Sequence, residues 1–199
     1  MRITTMLARV RSACIQGIDA ALVSVEVDVA SGLPAFNMVG LPDTPIRESR
    51  DRVRSAIKNS GFTFPMERIT VNLAPADLRK EGAGFDLPIA LGLLAATGLI
   101  KGERLKQFLF LGELSLDGEI RPIRGVLPMA LACRREGIAG LILAPGNAPE
   151  ASVVDGLAVI PVATLSQAVE FLCGEREIDP VTADPAALLA HDPGDEVDF

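Results

Sequence analysis

The chain has no tryptophan, no tyrosine and a single histidine, His191. Eight phenylalanines are its whole aromatic content, so a core drawn from 49% hydrophobic residues has to be mainly aliphatic. His191 lies in the acidic C-terminal stretch, which excludes histidine-based catalysis in the folded body. The three cysteines, Cys14, Cys133 and Cys173, are odd in number, far apart and set among apolar neighbours. That spacing builds no metal site and points to reduced core thiols in a cytoplasmic protein. No apolar run reaches the about 18 residues a membrane span needs; the stretch from Ala90 to Ile100 is too short. The N-terminus shows no charged-then-apolar leader with a small-residue cleavage site. Lysine is scarce as well, with Lys58, Lys80, Lys101 and Lys106 the complete set. No Gly-x-x-x-x-Gly-Lys-Ser/Thr occurs, so these 199 residues bind no nucleotide in the P-loop manner.

The net charge of -7 is concentrated at one end. From Glu175 onward eight acids face Arg176 alone, which leaves the preceding 174 residues balanced. The low isoelectric point therefore belongs to the tail, and the body is free to present a basic patch. With Pro180, Pro185 and Pro193 and hardly a large apolar residue besides Leu188-Leu189, residues 175–199 read as a disordered acidic linker. Ending on Asp198-Phe199, the chain reads as cut from something longer.

Between the ends, the pattern is that of an α/β domain with a mixed sheet over 1–174. Val23, Val25, Val27 and Val29 alternate with Ser24, Glu26 and Asp28, which predicts a strand with one buried face. A preceding alternating segment from Met6 to Ile15 turns at Gly17, and Ala35 to Val39 forms a third short strand. Pro42-Asp43-Thr44-Pro45 opens a helix over 45–60 that Gly61 stops. Asp117-Gly118 between apolar flanks predicts a hairpin. After it come helices over 125–136, 147–153 and 165–172, interleaved with strands over 140–144 and 157–162.

The chain is organised around one stretch, Arg68 to Gly92. Arg68-Ile69-Thr70-Val71-Asn72-Leu73 reads as a strand, followed by a charged loop with Gly82 and Gly84. An almost wholly apolar helix then runs from Leu87 to Ile100, with Asp86 expected to cap its first turn. Lys80, beside two charged neighbours on the loop, is expected to be solvated.

Three blocks here and upstream resemble a known family: Gly40-Leu41-Pro42-Asp43 with the segment from Arg47 to Arg54, Asn72-Leu73-Ala74-Pro75-Ala76-Asp77-Leu78, and Phe85-Asp86-Leu87-Pro88-Ile89-Ala90. They look like the N-terminal domain of YifB/ComM-type proteins, the magnesium chelatase-like AAA+ ATPases. The resemblance covers residues 1 to about 175 and occurs in the family's order. It implies the Lon protease-like fold, shared with a domain of the recombination protein RadA. It also implies an absent AAA+ module that binds ATP and Mg, homo-oligomeric ring assembly, and a parent acting on DNA in branch migration.

A Lon-type peptidase needs a serine nucleophile on the central loop and a desolvated lysine base one element later. Laid on the family's Gly-Pro-Ser-Ala-Gly, the segment Gly82-Ala83-Gly84-Phe85-Asp86 puts Gly84 at the serine position. Leu127 stands where the lysine belongs, and no lysine follows Lys106. Glu81 and Asp86 flank the glycines and would repel a phosphate there. The positive charge sits elsewhere: Arg47, Arg50, Arg54 and Lys58 recur at three- and four-residue spacing on one face of the helix over 45–60. Glu48 to Arg52 and Arg47 to Asp51 are expected as ion pairs along that helix. The row suits phosphate-backbone contact, while no aromatic interleaves it to stack single-stranded bases.

These features describe a non-catalytic assembly and DNA-contact domain with no cofactor of its own. The alternatives are a purely structural oligomerisation domain and a cryptic hydrolase. Incubation with unfolded protein and with a peptide library is expected to leave both intact. Cleavage that co-elutes with the domain through successive columns would contradict the assignment of Gly84 and Leu127.

Overall fold

The computed structural model describes residues 6–101 and 103–182. It opens with a long hairpin, β1 (Met6–Gln16) and β2 (Asp19–Ala30), turning at Gly17. In β2 the four alternating valines are buried and Ser24, Glu26 and Asp28 are half-exposed, as the period-two pattern requires. There follow β3 (Ala35–Val39), α1 (Thr44–Asn59), β4 (Arg68–Ala74) and α2 (Asp86–Ala96). The chain continues through α3 (Arg104–Gln107), β5 (Phe108–Phe110) and a small hairpin of β6 (Glu113–Leu114) and β7 (Ile120–Arg121). It closes with α4 (Val126–Arg135), β8 (Gly140–Leu143), α5 (Ala148–Ser152), β9 (Ala158–Pro161) and α6 (Leu165–Cys173).

Seven strands form one mixed sheet in the order β3-β4-β2-β1-β5-β8-β9. The pairs β1–β2 and β2–β4 are antiparallel; β3–β4, β1–β5, β5–β8 and β8–β9 are parallel. Strand alternation sorts the core into two clusters. Phe108, Phe110, Ile142 and Ile160 face α1, α2 and α6, whereas Leu109, Leu141, Leu143 and Val159 face α4 and α5. This is the mixed α/β architecture expected from the sequence.

Two boundaries differ from expectation. Helix α2 ends at Ala96 rather than Ile100, because Thr97 Oγ1 turns back onto the carbonyls of Leu93 and Leu94 and Gly98 takes a left-handed φ of 80°. The four-residue α3 has too few residues to show a helical period and was not expected. The acidic stretch also begins in place. Ile178 packs against the core, Val181 N–H donates to the Val159 carbonyl at 2.8 Å, and Arg104 pairs with Glu177 at 2.6 Å. The rest of the expected linker, 183–199, lies outside the described residues.

Between β3 and α1 the backbone passes so close to β4 that a Cβ on Gly40 would fall 2.1 Å from the Leu73 carbonyl oxygen. Gly40 has φ 97°, and Leu41 after it, at φ 55°, is the one non-glycine residue with positive φ among the described residues. This tight passage delivers Pro42 and Asp43 to the start of α1.

Helix α2 is buried nearly all round, with Leu91 0% and Leu94 1% exposed. Truncating such a side chain removes its transfer energy and leaves a cavity. Leu94→Ala is therefore expected to cost about 2–5 kcal/mol, read from the denaturant midpoint at an unchanged m-value.

Candidate functional site

The loop from Pro75 to Phe85 and the helix α1 are fastened to each other at three points. Asp43 is the N-cap of α1: its Oδ1 accepts from Ile46 N–H at 2.9 Å while Oδ2 accepts from Gly82 N–H at 2.9 Å. One carboxylate thus starts the helix and holds the glycine loop. Lys80 forms a two-way backbone link, its N–H donating to the Leu41 carbonyl and its carbonyl accepting from Asp43 N–H.

The third fastening corrects the expectation for Asp86. Its carboxylate does not cap α2; it is fully buried and receives Arg52 in a fork, Nε to Oδ2 at 2.7 Å and Nη2 to Oδ1 at 3.1 Å. Leu114 N–H from β6 donates to the same carboxylate at 3.1 Å. A helix whose flanks are apolar offers this acid no water, so it takes the nearest fixed cation instead. Burial pushes its pKa up to about 6 even against Arg52, whose guanidinium the carboxylate in turn makes harder to deprotonate.

Lys80 is also corrected. Its side chain is 0% exposed, with Nζ on the Pro75 carbonyl, and burial lowers its pKa. The loop folds back over the lysine because the backbone links to Leu41 and Asp43 pull that residue inward.

Arg47, Arg50, Arg54 and Lys58 are all exposed on the outer face of α1, opposite buried Ile46, Val53, Ala56 and Ile57. The ion pairs expected along this helix rearrange. Arg52 leaves Glu48 for Asp86, and Asp51 bonds its neighbour Arg50 at 3.2 Å instead of Arg47. Among the described residues no carboxylate lies within ion-pair distance of Arg47, Arg54 or Lys58. Arg54 lies over the Phe64 ring at 5.7 Å.

The positions read as degenerate part company. Gly84 lines a cleft of about 460 Å³ together with Glu81, Glu113, Ile123 and Arg124. A Cβ at position 84 would meet Ile123 Cδ1 at 3.0 Å, so any side chain there has to displace that methyl. Leu127 is outside the cleft lining, on the first turn of α4, where its N–H donates to Glu150 Oε1 at 2.9 Å. No helix among the described residues is long and apolar enough to cross a membrane.

The segment holding β4, the loop and α2 falls within residues 25–147, which match the family model described as subunit ChlI of Mg-chelatase. The chain belongs to this family. It is 47% identical over 172 residues to competence protein ComM of Haemophilus influenzae, covering 86% of this chain and 34% of that protein. It is 40% identical over 183 residues to the uncharacterized protein YifB of Escherichia coli, covering 91% of this chain and 36% of the other. The chain thus spans little more than a third of these ChlI-type relatives. A weaker likeness, 24% over 188 residues, links 87% of the chain to 24% of the Lon protease of Salinispora arenicola and agrees with the Lon-like fold.

Because Asp86 titrates higher in the folded chain than its ordinary value of 3.8, the native state binds the extra proton between about pH 4 and 6. Its contribution to stability therefore falls as pH rises through that window, by at most about 1.4 kcal/mol per pH unit. Asp19, Glu26 and Asp117, held below their usual values by hydrogen bonds, act in the opposite direction and mainly below pH 4.5. Denaturant midpoints from pH 7 to 4.5 are expected to favour the native chain progressively over Asp86→Asn. A constant gap between the two would contradict the assignment.

Proposed function

We propose that this chain is the assembly and DNA-contact domain of an ATP-driven, ring-forming AAA+ protein of the YifB/ComM type. The observation that carries the reading is the row Arg47, Arg50, Arg54 and Lys58, exposed along about three turns of a helix whose other face is anchored in the core. Such a row neutralises phosphates without reading bases. ATP and Mg belong to an AAA+ module outside these 199 residues, and the neighbouring subunits of a homo-oligomer complete the ring in the cytoplasm. The role proposed for that parent is branch migration in recombination or natural transformation, supported by the likeness to a competence protein.

The domain itself is proposed to be non-catalytic, with Gly84 and Leu127 in the serine and lysine positions. The cleft at Gly84 supports this: its lining contains no serine or lysine, and Ile123 crowds the position a nucleophile would occupy. A purely structural oligomerisation role is the second reading.

One domain contacting a few phosphates should bind DNA weakly, at about 10⁻⁴ to 10⁻⁶ M, with no sequence preference. The measurement is a salt series on duplex, single-stranded and branched DNA, using the whole chain and a version ending at Thr182 to remove most of the acidic tail. Affinity is expected to fall steeply with salt, and Arg50→Ala with Arg54→Ala to weaken binding and flatten the slope. An unchanged slope in the double variant, or no binding at low salt, leaves the row as a subunit contact and the oligomerisation reading in force.

A further inference from the structure

The row on α1 is not a plain convex surface. Where Arg50 and Arg54 face β3, the structure has a groove of about 250 Å³. Those two arginines line it together with Pro34, which precedes β3, and Phe36 within that strand. Phe64 lies at the bottom, and Met66, 59% exposed, stands at the rim.

We propose that this groove seats one unpaired base of a single-stranded nucleic acid, so that α1 prefers single strands over duplex. The proposal rests on the DNA-contact reading of α1 and assigns it a strand preference. Its volume falls below the about 300–1,000 Å³ of sites for drug-sized ligands, which suits one planar ring system. The two arginines are four residues apart, hence about 6 Å along the helix axis, and follow a strand running along the groove. Arg54 Cζ lies 5.7 Å from the Phe64 ring centroid, which sets a planar, weakly hydrated cation along the groove where a base can stack on it. Phe36 and the thioether of Met66 supply the apolar contact that stacking requires and that the helix alone lacks. Glu67 also lines the groove. Its carboxylate disfavours a phosphate on that side and can accept from an N–H of a base. In a duplex the bases stay paired and stacked, so only the phosphates reach the arginines.

The test uses the 199-residue chain and fluorescence anisotropy at low salt. The probes are a thymidine oligomer, the same oligomer with abasic sites and equal charge, and a duplex of the same length. The intact single strand is expected to bind about fivefold to tenfold more tightly than the abasic strand, the lower part of the range for one stacked base. Met66→Ala and Phe36→Ala should lower the intact strand to the abasic level and leave duplex binding unchanged. Met66 is exposed at the rim, so its truncation reports on the groove even if Phe36→Ala impairs folding. Equal affinity for intact and abasic strands, or loss of duplex binding in step with single-strand binding in Met66→Ala, overturns the groove and spares the phosphate row. Absence of binding to all three probes overturns both.

Discussion

The pairing of Arg52 with Asp86 is the constraint on which the arrangement of this domain depends. Asp86 is the one charged residue of α2, and it is wholly enclosed. Left without a partner it would carry a desolvation penalty of several kcal/mol, so α1 has to bring Arg52 to it. The rotation of α1 is set by its buried face of Ile46, Val53, Ala56 and Ile57, and Arg52 reaches Asp86 from one flank of that face. Successive residues advance by about 100° around a helix, so Arg50 and Arg54 lie about 160° from Arg52 and stay in solvent. The buried pair and the exposed row are two consequences of one helix setting.

Asp43 sets the N-terminal end of the same helix. Its carboxylate joins the first turn of α1 to Gly82, and the tight backbone passage at Gly40 and Leu41 puts it within reach. Held at its N-terminus by Asp43 and at its middle by Arg52, α1 is tied to both the central loop and α2. The loop and the helix nevertheless present opposite chemistries. The cleft at Gly84 is lined by Glu81 and Glu113 with Arg124, while the solvent face of α1 carries guanidinium and ammonium groups.

Much was determined by the sequence itself. The valine alternation of β2, the Asp-Gly turn between β6 and β7, the helix start at Pro42-Asp43-Thr44-Pro45 and the three- and four-residue spacing of Arg47, Arg50, Arg54 and Lys58 are all local patterns. Each encodes a backbone period within a few neighbouring residues, and each was legible for that reason. Tertiary structure decided the partners. Arg52 and Asp86 are 34 residues apart, and nothing near either one distinguishes a buried fork from an exposed i,i+4 pair or a helix cap. Lys80 looked solvated from its charged neighbours, yet backbone links to Leu41 and Asp43 bury it. The basic helix looked bare of aromatics, yet β3 and the segment after α1 bring Phe36 and Phe64 alongside Arg50 and Arg54. A carboxylate, an amine or a ring carries no mark in the sequence of what will close over it, because burial is set by the packing of elements remote in the chain.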